Sequence, residues 1–470
     1  MSRLTLCLIA RDEEQMLPAC LASVRGVVDR IVAADTGSTD KTRAILHAAG
    51  AEVFDFAWRD DFAAARNAVL ERVHDGHVLV LDADERLAGG AGRVLRAALK
   101  SGSKRELDCG LLPLHHASTL DASEADVLSG RKRLVEPVLL PRLLRRAKDL
   151  RWEGVVHENV GTWLARPGRA IRTLDAPIVH YGAVPEWRAA RGKRERNLAL
   201  LEARCAAEPE DPTPRAYLVN ELLRIGERAR ARSEIERALE LARAARARGV
   251  PLDPTHVLTL HAYTLLTSGE LDAASASLDL ARDWQCKHPN FDFLTGALLE
   301  HRASAAARTD AGRPDAGRPG AELLERAALH LERALAAHST LWPAETLPGA
   351  TSFAAALRLG QVRLAQLRTQ EALAAFDRVL AEQPDNTQAR LGRIEALIAG
   401  GHPDRALGEL EPLLASAGAD GWLVAAWAAR ELGQTADARA FSETAARLAP
   451  NGAPRSARWA RVARALAAAA

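Results

Sequence analysis

The stretch that most constrains the fold is His77-Val78-Leu79-Val80-Leu81-Asp82-Ala83-Asp84-Glu85. A short run of Val and Leu reads as a buried strand, with three acids at its C-terminal end. In open α/β sheets, ligands bind just outside the C-terminal ends of the strands. Two carboxylates separated by one residue can share a hard divalent cation, and that cation can bridge the two phosphates of a nucleotide. A strand followed by a solvated acidic turn has the same sequence. The meaning of Asp82-Ala83-Asp84 therefore rests on what precedes it.

Residues 4–10 read as a first strand ending at Arg11-Asp12-Glu13-Glu14. Met16, Leu17, Cys20, Leu21 and Val24 recur at helical spacing over 13–25, and Gly26 ends that helix. A second strand, 31–34, stops at Asp35-Thr36-Gly37-Ser38-Thr39-Asp40, a turn-rich loop that leads into a helix running to about Ala49. Residues 51–56 are a third short strand. Asp60-Asp61-Phe62 caps a helix carrying Arg66 and Asn67, and the strand into Asp82 follows. Alternation of this kind predicts a parallel sheet with crossover helices, three of its strands ending in acid at one edge.

Asp12 and Asp35, at strand ends, suit acceptance of a hydrogen bond from a base N–H or from ribose hydroxyls. The Asp35–Asp40 loop also reads as an Asx-turn followed by a helix cap from Thr39 and Asp40, a reading that suits Asp40 better than Asp35, which lies at the strand end. A dinucleotide fold would need Gly-x-Gly-x-x-Gly after the first strand. Residues 10–15 are Ala-Arg-Asp-Glu-Glu-Gln, and no Gly-x-x-x-x-Gly-Lys-Ser/Thr loop is present either. Without a glycine cradle, a metal must neutralise the phosphates, which fits the Asp-x-Asp.

Four segments, Leu-Cys-Leu-Ile-Ala-Arg-Asp-Glu-Glu, Asp-Thr-Gly-Ser-Thr-Asp-Lys-Thr, Asp-Asp-Phe-Ala-Ala-Ala-Arg-Asn and Leu-Asp-Ala-Asp-Glu, resemble in order and spacing the motifs of family 2 glycosyltransferases, over residues 1–190. The branch most resembled couples this domain to tetratricopeptide repeats and includes the sublancin-type peptide S-glycosyltransferases. The resemblance implies a GT-A fold, a nucleotide-diphosphate sugar donor (UDP-hexose or UDP-N-acetylhexosamine), Mn2+ or Mg2+, and inversion at the anomeric carbon. It implies that Ala10, Arg11, Asp12, Glu13 and Asp35 line the uridine site and that Arg66 sits near the base or pyrophosphate. It also implies that Asp82 and Ala83 face the ribose or sugar and that Asp84 holds the metal. The branch usually shows Lys-Asn-Glu where this chain has Arg11-Asp12-Glu13, and an ionised Asp accepts hydrogen bonds without donating any.

Residues 107–114 read as a strand, 118–133 as a polar loop and 137–146 as a strand that turns basic at Arg142, Arg145 and Arg146. Trp152-Glu153-Gly154-Val155-Val156-His157-Glu158 follows. An inverting transfer needs a base to take the acceptor proton, and Glu153, His157 and Glu158 are the candidates. Glu158 is favoured as base, with His157 orienting the acceptor or phosphate. Glu153 and His157 share a face in a strand and lie one turn apart in a helix. His180, in Ile178-Val179-His180-Tyr181-Gly182, is a second candidate metal ligand, as late histidines are in several GT-A enzymes; a histidine simply closing a strand reads the same. Trp58, Trp152 and Trp187 suit stacking on a sugar or a place in the core.

From about Arg191 the strand signals cease. Leu373, Phe376, Val379 and Leu380 recur 34 residues later as Leu407, Leu410, Leu413 and Leu414, and Leu364, Ile398 and Leu432 keep that period. This is the tetratricopeptide length, with Gly226, Gly269, Gly401 and Gly433 at turns between helices. Residues 309–320, rich in Gly and Pro, read as a flexible loop. The expectation is thus a GT-A domain over 1–190 and an all-α tetratricopeptide-like solenoid over 191–470. The solenoid suits binding of a peptide or protein acceptor, or homodimerisation. A net charge of +2 gives no reason to expect nucleic acid, and no apolar run approaches a membrane span. Five scattered cysteines and no signal-peptide pattern point to the cytoplasm. The rivals are a transferase acting on lipopolysaccharide or another glycan, and a non-catalytic repeat scaffold with a decayed transferase domain.

Overall fold

The computed structural model describes residues 2–100, 106–135, 137–190, 193–309, 319–337, 347–414, 416 and 418–449. Four parallel strands, β1 (Leu4–Ala10), β2 (Arg30–Asp35), β3 (Glu52–Asp55) and β4 (His77–Val80), lie in the order β3-β2-β1-β4. Helices α1 (Leu17–Ser23), α2 (Thr42–Ala48) and α3 (Phe62–Leu70) make the crossovers. The interiors of β1, β2 and β4 are apolar because both sheet faces are covered there, whereas the edge strand β3 exposes Glu52 and Asp55. Leu4, Leu6, Leu8, Ala33 and Leu79 pack into one core layer, while Cys7, Val32, Ala34, Val78 and Val80 pack into another. Pairing of Ala10 with Asp35, and of Asp35 with Asp55, brings the acid-bearing strand ends to one edge.

Asp61 caps α3, its carboxylate accepting the Ala64 N–H at 2.8 Å. Helix α1 begins later than the apolar spacing predicts. Glu13 O accepts the N–H groups of Met16 and Leu17 in a turn, and Pro18 fits the first turn of the helix proper.

Beyond β4 the sheet becomes mixed. It adds β5 (Glu85–Leu87), β6 (Cys109–His116), β7 (Val138–Arg145), β8 (Ile171–Thr173) and β9 (Ile178–His180), in the order β3-β2-β1-β4-β7-β6-β9-β5, with β8 beside β6. Strand β7 is antiparallel to both β4 and β6. Helix α4 (Ala91–Ala98) links β5 to β6, and α6 (Gly161–Leu164) precedes β8. The polar stretch 118–133 is not all loop: α5 (Glu124–Leu128) forms within it, because Ser123 Oγ accepts the Asp126 N–H and caps it.

Among the described residues, no strand follows β9. Helices α7 (Pro185–Ala190), α8 (Lys193–Ala207), α9 (Pro212–Arg224), α10 (Arg228–Ala247) and α11 (Thr255–Thr267) come next. The chain divides into two compact units, and the division falls between His261 and Ala262. The strands thus stop where the composition changes, yet α8, α9 and α10 belong to the first unit.

The second unit holds α12 (Leu271–Asp283), α13 (Pro289–Thr309), α14 (Pro319–Ala336), α15 (Phe353–Ala365), α16 (Thr369–Glu382), α17 (Thr387–Ala399), α18 (Pro403–Leu410), α19 (Gly418–Glu431) and α20 (Thr435–Leu448). The 34-residue period separates the α15–α16 pair from the α17–α18 pair. Fully buried Phe376 sets their spacing: a Cβ on Gly360 or Gly392 would come within 2.6 or 2.5 Å of its ring. Leu364 and Ile398 are buried, but Leu432 is 38% exposed because it lies one residue past α19. Gly226, Gly269, Gly401 and Gly433 all take positive φ at helix ends. Of the expected loop at 309–320, residues 310–318 lie outside the described residues. Among the described residues, no helix is long and apolar enough to cross a membrane.

Candidate active site

The first two strand-end loops are laced together. Asp12, at φ +53°, accepts the Thr39 N–H (2.8 Å) and hydroxyl (3.1 Å) on Oδ1, and its own N–H donates to Ser38 Oγ. The Glu13 N–H donates to Thr42 Oγ1 and the Glu14 N–H to Asp40 Oδ2. An acceptor-only side chain suits position 12, since Thr39 offers two donors to one oxygen. Thr36 N donates to Ala10 O at 3.0 Å, and Arg11 points outward beside Asp12. Asp35 is buried. Its Oδ1 accepts the Gly37 and Ser38 N–H groups, an Asx-turn, while Oδ2 has no hydrogen-bond partner among the described residues. Arg43 Nη1 stands 3.7 Å from Oδ2. Buried polar atoms are rarely left unsatisfied, so a carboxylate oxygen in this state marks a place for a donor.

At the end of β4 the chain turns on itself. Glu85 N donates to Asp82 O, and Asp82 N donates to Glu85 Oε2, both at 3.0 Å. Arg66 from α3 then joins distant acids: Nη2 donates to Asp82 Oδ1 at 2.7 Å, and Nε to Glu158 Oε1 at 2.6 Å. Arg142 from β7 donates to Glu85 Oε1 at 2.5 Å and lies 3.5 Å from Asp82 Oδ2. Burial works against ionisation of Asp82, but Arg66 and Arg142 outweigh it and hold the carboxyl below its ordinary range. Burial, in contrast, pushes Glu85 up despite Arg142. Arg142 and Glu85 escaped the sequence reading as site residues. An arginine interrupting Leu139-Leu140-Pro141 and Leu143-Leu144 is the signal that was there.

Asp84 and His180 come together, with Asp84 Oδ1 3.4 Å from His180 Nε2. Antiparallel pairing of Glu85 with His180 makes the approach, and Tyr181 N donates to Asp84 O. Burial disfavours the charged form of His180, yet Asp84 overcomes it and raises the imidazole above its ordinary value. The other ring nitrogen, Nδ1, lies 2.9 Å from Nδ1 of His116 on β6, the residue in register with it. Burial and then His180 push His116 down to about 3. With the two Nδ1 atoms in hydrogen-bond reach, one donates and the other accepts, so the tautomer of each ring is tied to that of the other. A second residue fixing a histidine's tautomer is the usual support for a metal ligand.

Gly182 leaves the space: a Cβ there would overlap the Asp84 carboxylate and lie 2.7 Å from His180 Nε2. A carboxylate oxygen and an imidazole nitrogen side by side would supply two of the positions a divalent cation needs. Among the described residues, no group of three or more His, Cys, Asp or Glu is placed to hold an ion by itself.

Residues 153–159 form neither strand nor helix. Glu153 and Asn159 exchange backbone hydrogen bonds at 2.9 and 3.0 Å, and Gly154 (φ +91°) and His157 (φ +52°) turn the chain between them. Glu153 and His157 therefore do not act from a shared face. Glu153 accepts the Thr162 hydroxyl at 2.5 Å, whereas Glu158 reaches Arg66. His157 stacks on Tyr217 of α9, centroids 4.1 Å apart and planes 6° apart. Trp152 is buried beneath Arg66, and its backbone N–H and C=O are both held by the Asn67 side chain. Trp58 donates to Asp60, and Trp187 packs against the buried cluster of Met16, Val179 and Tyr181.

Fold and site define an α/β domain with an acidic strand edge, followed by paired helices. Residues 5–103 match the family model described as Glycosyl transferase family 2, and residues 363–421 match one described as Tetratricopeptide repeat. The chain joins a family 2 glycosyltransferase domain to tetratricopeptide repeats. It is 34% identical over 235 residues to a TPR repeat-containing protein of Synechococcus elongatus, covering 47% of this chain and 52% of that protein. It is 24% identical over 213 residues to the SPbeta prophage-derived glycosyltransferase SunS of Bacillus subtilis, covering 44% and 46%. The chain therefore spans about half the length of the curated relatives it matches. A solved tetratricopeptide repeat protein from Parabacteroides merdae is similar with TM-score 0.38 and 14% identity, over 60% of this chain and 93% of that one.

Proposed function

We propose that this protein is an inverting glycosyltransferase that moves a hexose or N-acetylhexosamine from a UDP donor to a peptide or protein acceptor. The observation that carries the reading is Asp35 Oδ2, buried without a hydrogen-bond partner among the described residues, at the same sheet edge as Asp82 and the Asp84–His180 pair. A base N–H of the donor meets that oxygen, and the laced loops through Ala10, Arg11, Asp12 and Glu13 shape the rest of the nucleoside pocket. Arg66, pinned by two carboxylates, keeps its fork fixed beside Asp82 and Ala83, where the ribose and sugar lie.

Asp84 and His180 would hold Mn2+ or Mg2+. When bound, the ion supplies positive charge that offsets the leaving diphosphate. The acceptor nucleophile attacks the anomeric carbon, the bond to the diphosphate oxygen breaks, and the acceptor proton passes to Glu158. One oxygen of Glu158 accepts from Arg66, and the other is left for the proton. A tetratricopeptide region suits an extended peptide, and the likeness to the glycosyltransferase SunS supports a transferase. Calorimetric titration of UDP and a panel of UDP-sugars, with and without manganese, tests the reading. Metal-dependent binding of about −8 kcal/mol, micromolar affinity, is expected; a folded protein that binds none of them refutes it.

A further inference from the structure

The 153–159 loop carries Glu158, and its shape is not its own. On one side it is tied to α3, where Phe62 N donates to Val155 O at 2.9 Å. On the other it meets two helices that lie beyond the last strand. Arg204 of α8 donates from Nη1 to Val156 O at 2.8 Å, and its Nε donates to both carboxylate oxygens of Glu208, at 3.1 and 3.0 Å. Arg204 is only 5% exposed although it carries a full charge. Burying a guanidinium is costly unless its donors are used, and here a loop carbonyl uses one of them. Gly154 accommodates this arrangement twice over. It takes φ +91°, and a Cβ there would lie 2.8 Å from the Arg204 guanidinium.

Tyr217 of α9 supplies the second prop. His157 sits at φ +52°, a left-handed conformation that side chains other than glycine rarely adopt. Such backbone persists where neighbours over-determine it. The stacked Tyr217 ring does so here, itself backed by His256 at a centroid distance of 5.0 Å. Glu158 follows directly and meets Arg66, whose other arm holds Asp82. Without Glu158 in place, Arg66 Nε loses its acceptor, and the guanidinium is no longer fixed against Asp82.

We propose that Arg204 and Tyr217 are positioning residues of the transferase site, holding the 153–159 loop so that Glu158 meets Arg66. This rests on the reading of Arg66 and Glu158 given under the proposed function. It makes the helices up to His261 part of the catalytic unit.

The test uses the full-length protein and the variants Arg204→Ala, Tyr217→Ala and Tyr217→Phe. Hydrogen exchange is followed at the amides of Phe62 and Asn159, and UDP affinity is measured calorimetrically in manganese. Both alanine variants should speed exchange at these amides at least tenfold and raise the UDP Kd at least threefold. Amides of β1 and β4 should keep wild-type protection. Tyr217→Phe, which keeps the stacked ring, should restore both readouts. Loop amides as protected as in wild type overturn the proposal, and so does a loosened loop with unchanged UDP affinity. If Arg204→Ala unfolds the unit, the Tyr217→Ala and Tyr217→Phe pair decides. A wild-type protein that binds no UDP refutes the proposed function instead, while the exchange data still report whether these helices hold the loop.

Discussion

Gly182→Ala is a small change with a large expected effect. Gly182 does not adopt positive φ, so its backbone would accept alanine. The space would not. The new Cβ would overlap the Asp84 carboxylate and stand 2.7 Å from His180 Nε2, against ordinary contacts of about 3.5–4.0 Å. Asp84 is buried, and its carbonyl is held by Tyr181 N at 3.0 Å, so the main chain cannot follow. The carboxylate must instead rotate away from His180.

Overpacking of this kind costs about 1–3 kcal/mol. For a unit of this size each kcal/mol lowers the Tm by about 2–4 °C, so a drop of about 2–12 °C is expected. Losing the alignment of a metal ligand costs about 10–100-fold in metal affinity. Calorimetry of UDP with a manganese series, beside a thermal melt, measures both effects. Gly408→Ala in α18, where a Cβ meets nothing within 4 Å, is the control and should bind like wild type. A Gly182→Ala protein with wild-type manganese dependence would show that Asp84 and His180 do not share an ion.

Glu158→Gln keeps an acceptor for Arg66 Nε but cannot take a proton; UDP should still bind while turnover falls by about 10²–10⁴-fold, and near-normal turnover would exclude Glu158 as base. Asp108 accepts from Ala170 N, Arg145 and Arg169, at 2.8, 2.5 and 3.3 Å. Burial opposes its charge, but Ala170 N–H and the two arginines prevail and hold the carboxyl low. A lowered folded value contributes stability above the unfolded pKa and loses it as pH falls through the folded one. Asp108→Asn should therefore cost about 2 kcal/mol near neutrality, and thermal melts should show the gap to wild type narrowing below about pH 4. Leu367 occupies the helix-end position that Gly401 fills one period later, at φ +63° and 78% exposed. Relief of left-handed strain, less the extra unfolded-state entropy of glycine, should make Leu367→Gly more stable by about 1 kcal/mol; a lower Tm would contradict that accounting.

Local features were legible in the sequence because local forces produce them. Alternating strand and helix patterns gave β1 to β4, Asp61 announced α3, and a 34-residue period with Gly401 and Gly433 announced the paired helices. The Asp82-Ala83-Asp84 turn and Arg66 could be singled out because a strand end and a capped helix place them. Three things had to wait for the tertiary structure. The pairing of β9 with β5 and β6 joins residues far apart in the chain, so only the folded sheet sets Asp84, His180 and His116 side by side. Arg142 sits in an apolar strand, where a charge declares that it has a partner but not which one, and that partner, Glu85, opens β5 beside Arg86, where nothing in the sequence marks it as buried. Arg204 and Tyr217 lie in helices whose periodicity matches the repeats that follow. Periodicity reports which face of a helix is buried; what that face is buried against is decided by the packing of the whole unit.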